Sequence, residues 1–434
     1  FSTEEDFIFI CNSKHLQESN MRALLQKIAP KGTIVEIPPH KKGPVFAVQQ
    51  IDNLINDEEE VIVNYCDFSC YWNYLDFLEH TRSRDADGAV PAYKGFHPHM
   101  LGTTNYAFMR DEKQWMLEIK EKEPFTDNRM QEYASMGTYY FKKGAYVKKY
   151  FKALMEKDIN LNGEYYVSLI YNLLVNDGLK VSIYEVQHML QWGTPQDVEE
   201  YNGFSDYFRA ICEVKSNSDI HKASGINLIP LAGLGSRFSK EGYVDPKPLI
   251  SVSGKPMIVQ AANCMPKAPR NIFVCLEEHL VKYPLESAIK SEYPDGKIVT
   301  LNKTTEGQAC TCEIGLENEE PNSPLLIAAC DNGMLYDEDR YKALLDDESV
   351  DAVVWSFRNH PSSERNPEMY GWIFEIDHYI GWGTPNDYQT FSYWQSFFHK
   401  ADWHPYRLER DETVNALSIA SLDKKYNTFE QEWR

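Results

Sequence analysis

Short apolar runs alternate with amphipathic stretches from the start of the chain. Phe7–Cys11, Thr33–Ile37, Glu60–Asp67 and Gly88–Tyr93 have the length and β-branched content of strands. Between them Asn20–Ile28, Pro44–Ile55 and Tyr71–His80 carry apolar residues at helical spacing. Strand–helix alternation of this kind predicts a mainly parallel sheet with helices on its faces. A fully apolar run, Ile226–Leu231, predicts a buried strand. It opens into Gly233-Leu234-Gly235-Ser236-Arg237, with Pro246-Lys247-Pro248-Leu249 and Gly254-Lys255-Pro256-Met257 close behind.

The pattern repeats. At a constant offset of 264 residues Cys11 matches Cys275, His15 matches His279, Gly32 matches Gly296 and Gly43 matches Gly307. Asp67 then matches Asp331, Asp87 matches Asp351 and Tyr106 matches Tyr370. Identities of different residue types at one offset imply duplication of a whole domain, with a period too long for a solenoid. Near the end of each copy stand His188 to Asp197 and His378 to Asp387, now offset by 190. The second copy is therefore 74 residues shorter, and the register puts the loss at Asp377–His378. The first copy's counterpart of the glycine turn would fall about thirty residues ahead of Phe1. The expectation is that the sequence omits residues and is interrupted near Asp377–His378. Domains are expected at 1–212 and 226–388, joined by a polar, aperiodic linker at 213–225. An aromatic extension, 389–434, either packs as a helix on the second domain or offers a contact surface, which leaves room for a homo-oligomer.

Composition narrows the class. The 434-residue chain is 43% hydrophobic and 13% aromatic, enough for sizeable cores. A net charge of −21 argues against nucleic acid or anionic membrane as the main partner. No run of 18 apolar residues exists and no signal peptide is visible, so a cytoplasmic protein without a membrane span is expected. The nine cysteines lack paired zinc-site spacing and read as reduced, mostly buried thiols. Elbow, zincin and kinase motifs are absent.

Glycines just past a strand let backbone approach a ligand, and consecutive amides attract an anion. Arg237 and Lys247 would add positive charge beside it. The string L-A-G-x-G-[ST]-R-[FL], with P-K-P-L and G-K-P-M downstream, resembles the signature of the sugar-phosphate nucleotidyltransferases, whose relatives include phosphocholine cytidylyltransferase-like enzymes. The resemblance implies an α/β fold of two Rossmann-like, GT-A-like domains with mostly parallel sheets and flanking helices. It gives Leu231, Ala232, Gly233, Gly235 and Ser236 to the nucleotide, Arg237 to the β/γ-phosphates and Lys247 to the α-phosphate. Glu306, Gly307 and Gln308 correspond to the family's base-reading element, for which the first copy has Lys42-Gly43-Pro44. Asp331, following the predicted strand Leu325–Cys330, corresponds to the metal-binding aspartate. Asp67 is its repeat, read equally as a helix cap. Mg²⁺ is the cofactor implied. Where the family has a second carboxylate, ahead of its Gly-Thr pair, Trp192 and Trp382 stand. Asp197 and Asp387 read as helix-start residues. The first copy's own segment, Phe108 to Gln187, resembles the acceptor half: Lys122 for the sugar phosphate, Gly137 and Thr138 on a G-x-Y-x-F-like strand, and Glu164 for sugar hydroxyls.

The reaction implied joins an NTP and a sugar-1-phosphate or similar phosphomonoester, releasing pyrophosphate, with surface-glycan precursor supply as the family-level role. Two alternatives stand beside it: a catalytically inactive regulatory or assembly protein of this fold, and a GT-A glycosyltransferase. The last would want an Asp-x-Asp motif that neither Cys66-Asp67-Phe68-Ser69 nor Asp331-Asn332-Gly333 supplies.

Overall fold

The computed structural model describes residues 5–213, 225–357 and 373–428. Most of the expected linker and Tyr370 lie outside these. The chain divides into two compact units, Phe1–Thr194 and Pro195–Arg434.

The first unit contains β1 (Ile8–Asn12), β2 (Thr33–Ile37), β3 (Val61–Asn64), β4 (Phe68–Tyr71), β5 (Gly88–Tyr93), β6 (Ala107–Glu112), β7 (Trp115–Glu121), β8 (Tyr133–Ser135), β9 (Thr138–Phe141), β10 (Val181–Glu185) and β11 (His188–Gln191). Strands β1 and β2 form a parallel pair. Seven others make one sheet in the order β10-β7-β6-β8-β5-β9-β3. Of its pairings only β5 with β10 is parallel. The expected mostly parallel sheet is thus corrected for this unit. Residues 107–141 supply the antiparallel strands: β6 and β7 form a tight hairpin, which joins strands only in antiparallel sense, β8 pairs antiparallel with β5 and β6, and β9 with β5 and β3. The core forms where this sheet meets the helices Gly144–Glu156 and Ile170–Asn176, with Phe141, Phe151, Tyr171 and Leu174 fully buried.

The second unit contains β12 (Ile226–Leu231), β13 (Ser251–Val252), β14 (Lys255–Pro256), β15 (Arg270–Leu276), β16 (Lys297–Leu301), β17 (Leu325–Ile327), β18 (Asn332–Leu335), β19 (Val354–Ser356), β20 (Ile373–Glu375) and β21 (His378–Gly381). Its main sheet, β16-β15-β12-β17, is wholly parallel, as the apolar runs predict. All six residues of β12 are buried because it has a neighbour on each side and helices on its faces. The predicted strand Leu325–Cys330 stops at Ile327, and Glu60–Asp67 stops at Asn64.

The same elements recur in the same register. Ile8 pairs with Thr33, and Ile272 with Lys297, both shifted by 264. His188 pairs with Tyr71, and His378 with Leu335. Val90 pairs with Ile183 across β5–β10, as Val354 pairs with Ile373 across β19–β20. In the second unit β12 lies between β15 and β17; in the first no described strand lies between β1 and β3. Next to the expected interruption, Ile376 N donates to Ser356 O at 2.9 Å and Asp377 N to Leu335 O at 2.9 Å.

The helix Pro195–Glu213, expected with the first copy, packs within the second unit. Its Phe208 lies 4.6 Å (ring centroids) from Tyr406 and 5.7 Å from both Phe391 and Phe398. Those partners are buried on the aromatic extension, so its large helix, Pro385–Lys400, is core, as the packing reading expects. The nine cysteines form no disulfide. Cys11, Cys275 and Cys312 are buried, Cys66 is exposed and the rest are half-buried, fewer buried than expected.

Candidate functional site

Strand β12 carries Leu231 and Ala232 to the sheet's carboxyl end, where both are buried. There the chain turns outward. Gly233 is exposed, and a Cβ placed on it would meet no atom within 4 Å. Gly235 sits in the left-handed region (φ +62°), and a Cβ there would stand 3.0 Å from Lys247 Cβ. Glycine is therefore needed twice over at 235, for the turn and for the approach of the lysine. The short helix Ser236–Lys240 follows, with Ser236 and Arg237 exposed. Its Phe238 is buried, edge-on to Tyr243 at 5.0 Å, and anchors the turn from below.

Lys247 opens a 3₁₀ turn, Lys247–Leu249, beneath the glycines. Its Nζ is ion-paired with the Asp331 carboxylate, with side chains only 18% and 25% exposed. Asp331 follows β17 and is fixed from behind, its backbone carbonyl accepting the Trp382 amide at 2.8 Å. Beside the carboxylate stands Gly383, where a Cβ would lie 3.0 Å from Asp331 Oδ2 and 4.0 Å from Asp387 Oδ2. The missing side chain leaves a cradle between two carboxylates. Arg237 forms no ion pair among the described residues and does not join this cluster by any recorded contact.

Two members of the site escaped sequence reasoning. Asp387 does start a helix, as expected: it forms a capping box with Thr384, at 3.1 and 3.2 Å. The same geometry puts its carboxylate near Asp331, which spacing along the chain could not reveal. Tyr379 is the other. Burial first, then Asp331 and Asp387, push its hydroxyl up to about 12. Trp382, in the place of the family's second carboxylate, is core: 2% exposed, against Gly333 and edge-on to Phe391 at 5.7 Å.

Gln308 is the first residue of the helix Gln308–Leu316, and Gly307 is its N-cap. Glu306, Gly307 and Gln308 are all exposed, and the space beside Gly307 is open. The hydroxyls of Thr305 and Thr311 both donate to Gly307 O, at 2.8 and 3.2 Å, and hold this turn in shape. In the first unit the equivalent place is filled. Tyr165 N donates to Lys42 O at 3.0 Å, Val45 N donates to Tyr165 O at 3.1 Å, and a Cβ on Gly43 would strike the Tyr165 backbone at 2.7 Å.

The first unit groups some of the proposed acceptor residues and separates others. Lys122 Nζ donates to Tyr166 OH at 2.9 Å, and Tyr166 OH donates to Glu164, so these three form one chain, with Lys122 exposed and Tyr166 and Glu164 half-buried. Burial acts to lower the Lys122 amine, but Tyr166, Glu121 and Glu164 outweigh it and hold it above the ordinary lysine value. Gly137 and Thr138 are buried instead, and the Thr138 hydroxyl is spent on Asn64 Oδ1 at 2.5 Å. Asp67 repeats the setting of Asp331: its carbonyl accepts the Trp192 amide at 2.9 Å, and a Cβ on Gly193 would be 3.5 Å from its Oδ2.

No protein-family model matches the chain, and no curated protein matches it. Solved structures resemble it in part. One is a nucleoside-diphosphate-sugar pyrophosphorylase from Vibrio cholerae RC9, at 17% identity over 45% of this chain and 79% of that one, with TM-score 0.37. Another is the inositol-1-phosphate CTP transferase from T. maritima, at 11% identity over 44% and 71%, TM-score 0.32. A third is a UDP-glucose pyrophosphorylase complexed with UDP-glucose, at 14% identity over 42% and 69%, TM-score 0.32.

Proposed function

We propose that the second unit binds a nucleoside triphosphate over the Gly233–Ser236 turn and that the protein is a nucleotidyltransferase acting on a sugar-1-phosphate or similar phosphomonoester. The observation that carries this reading is the placing of Lys247 between the open glycine turn and the strand-end carboxylate of Asp331. An acceptor phosphate attacking the α-phosphorus, with pyrophosphate departing in line, needs no protein nucleophile. It needs positioning and charge neutralisation. Lys247 would meet the charge developing at the α-phosphate, and Arg237, on its exposed turn, the leaving pyrophosphate. Glu306, Gly307 and Gln308 offer an open edge for the base, and Gln308 can both donate and accept there. Within the first unit itself, Lys122, Tyr166 and Glu164 suit a phosphorylated, hydroxyl-rich ligand.

The residues present fit a magnesium ion. The ion binds through one or two carboxylates with phosphate oxygens and waters completing its shell, and the cradle at Gly383 exposes Asp331 and Asp387 to such a partner. Asp331 would hold it, with Asp67 the repeat's equivalent. When bound it supplies charge neutralisation on the triphosphate. The buried Trp382, in place of the expected carboxylate, favours the second reading, a regulatory protein that keeps the fold without turnover.

The test is a pyrophosphate-release screen across four NTPs and a panel of sugar-1-phosphates and phospho-alcohols, with Mg²⁺ and with chelator. Release in one combination is expected, and Lys247→Ala should lower its rate on the order of a hundredfold. A Lys247→Ala protein with normal turnover removes the lysine from the chemistry. Silence in every combination moves the assignment to the regulatory reading.

A further inference from the structure

The Lys247–Asp331 contact joins the two groups that the proposed reaction needs apart, one for phosphate and one for a divalent ion. Both side chains are largely enclosed, and both are held by backbone: Lys247 against Gly235 and Asp331 by the Trp382 amide. A half-buried carboxylate without a counter-charge is strongly disfavoured, and removing one partner of such a pair leaves the other uncompensated. The lysine ammonium takes the Oδ2 atom that the Gly383 cradle also faces. Two cations cannot share that oxygen at contact distance without repulsion.

We propose that Lys247 is the resident counter-ion of Asp331 and that it competes with a divalent cation for this carboxylate. Lys247 therefore has two successive partners. Without ligand it neutralises Asp331 and keeps the metal off. When the triphosphate arrives it offers Lys247 a second anion, and Asp331 is released to the ion that accompanies the nucleotide. The consequence is a site that binds metal poorly alone and well with nucleotide, with Lys247 as the residue coupling the two. The inference rests on the nucleotidyltransferase reading for the identity of the ion. Its test needs no turnover, so the failure of one is separable from the failure of the other.

The experiment is Mn²⁺ binding to the full-length protein without nucleotide, followed by water-proton relaxation, on the wild type, Lys247→Met, Lys247→Arg, Asp331→Asn and Lys247→Met/Asp331→Asn. Thermal midpoints of all five establish that each is folded. Competition predicts that Lys247→Met tightens Mn²⁺ binding about tenfold or more. It predicts that Lys247→Arg, which keeps the charge, stays near the wild-type affinity, and that the double variant loses the gain. These outcomes run opposite to the loss of turnover expected for the same lysine. Unchanged Mn²⁺ affinity in Lys247→Met overturns the proposal, because the ammonium then does not screen the carboxylate. A gain in Lys247→Met that persists in the double variant overturns it as well, since the ion is then held elsewhere.

Discussion

Gly383 shows how a residue without a side chain can define a site. A single methyl placed there would stand 3.0 Å from Asp331 Oδ2 and close the cradle. Gly383→Ala should therefore lower pyrophosphate release at least tenfold and weaken Mn²⁺ binding, while moving the urea midpoint little; an alanine variant with full activity would remove the cradle from the argument. Lys400 is a residue-scale case of a different kind. It is 8% exposed, its Nζ donates to Tyr426 O at 2.7 Å, and burial lowers its amine to about 7. Its unfolded pKa is near 10.4, so between about pH 7 and pH 10 the unfolded chain binds a proton that the folded one does not. Stability should rise with pH through that window, by up to about 1.4 kcal/mol per pH unit from this group. In Lys400→Met the slope should vanish, which denaturant midpoints across the window would show.

At the scale of elements, the aromatic extension does more than cap the second unit. It holds the strands that follow the glycine turn. On the helix Pro385–Lys400, just ahead of the extension, Tyr388 OH donates to Ser251 O at 2.8 Å and its ring lies 6.2 Å from Tyr243, which in turn abuts Phe238. Asn415 N donates to Ser253 O at 3.0 Å and Asn415 Nδ2 to Gly254 O at 3.1 Å, while Gln395 Nε2 donates to Ser253 Oγ at 2.8 Å. Tyr388→Phe should cost about 1 kcal/mol of stability and loosen amide exchange in the Ser251–Met257 segment; unchanged exchange there would show that the clamp lies elsewhere. Strand β17 shows the reverse situation. Leu325 and Ile327 are 42% and 50% exposed; β17 is an edge strand paired only with β12 among the described strands, while β3, its counterpart, is an edge strand paired only with β9.

For the whole molecule, the division at 194/195 separates two sets of cores, and cooperativity should follow it. Calorimetric enthalpy should exceed the van't Hoff value, and saturating nucleotide with Mg²⁺ should raise one transition and leave the other in place. A single two-state transition shifting as one would contradict this. The helix Pro195–Glu213 belongs to the second of these cores, although the repeat register ends the first copy after it. Its apolar face has no sequence mark saying which unit it joins. Phe208 meets Phe391, Phe398 and Tyr406 through contacts nearly two hundred residues away in the chain.

The sequence by itself determined the elements and their repetition, because periodicity and turn residues act locally. It marked β12, the glycine turn and Lys247 as candidates, since glycines just past a strand let backbone approach a ligand and a lysine nearby adds positive charge. Tertiary structure alone decided the rest. The strands between residues 107 and 141 made the first unit's sheet mainly antiparallel. The Tyr165 backbone filled the space beside Gly43, and Trp382 went into the core. Asp387 came beside Asp331, and Lys247 was turned onto that carboxylate. Each of these is a contact between residues far apart in the chain, set by which surfaces must be buried together, and spacing along a sequence carries no record of that.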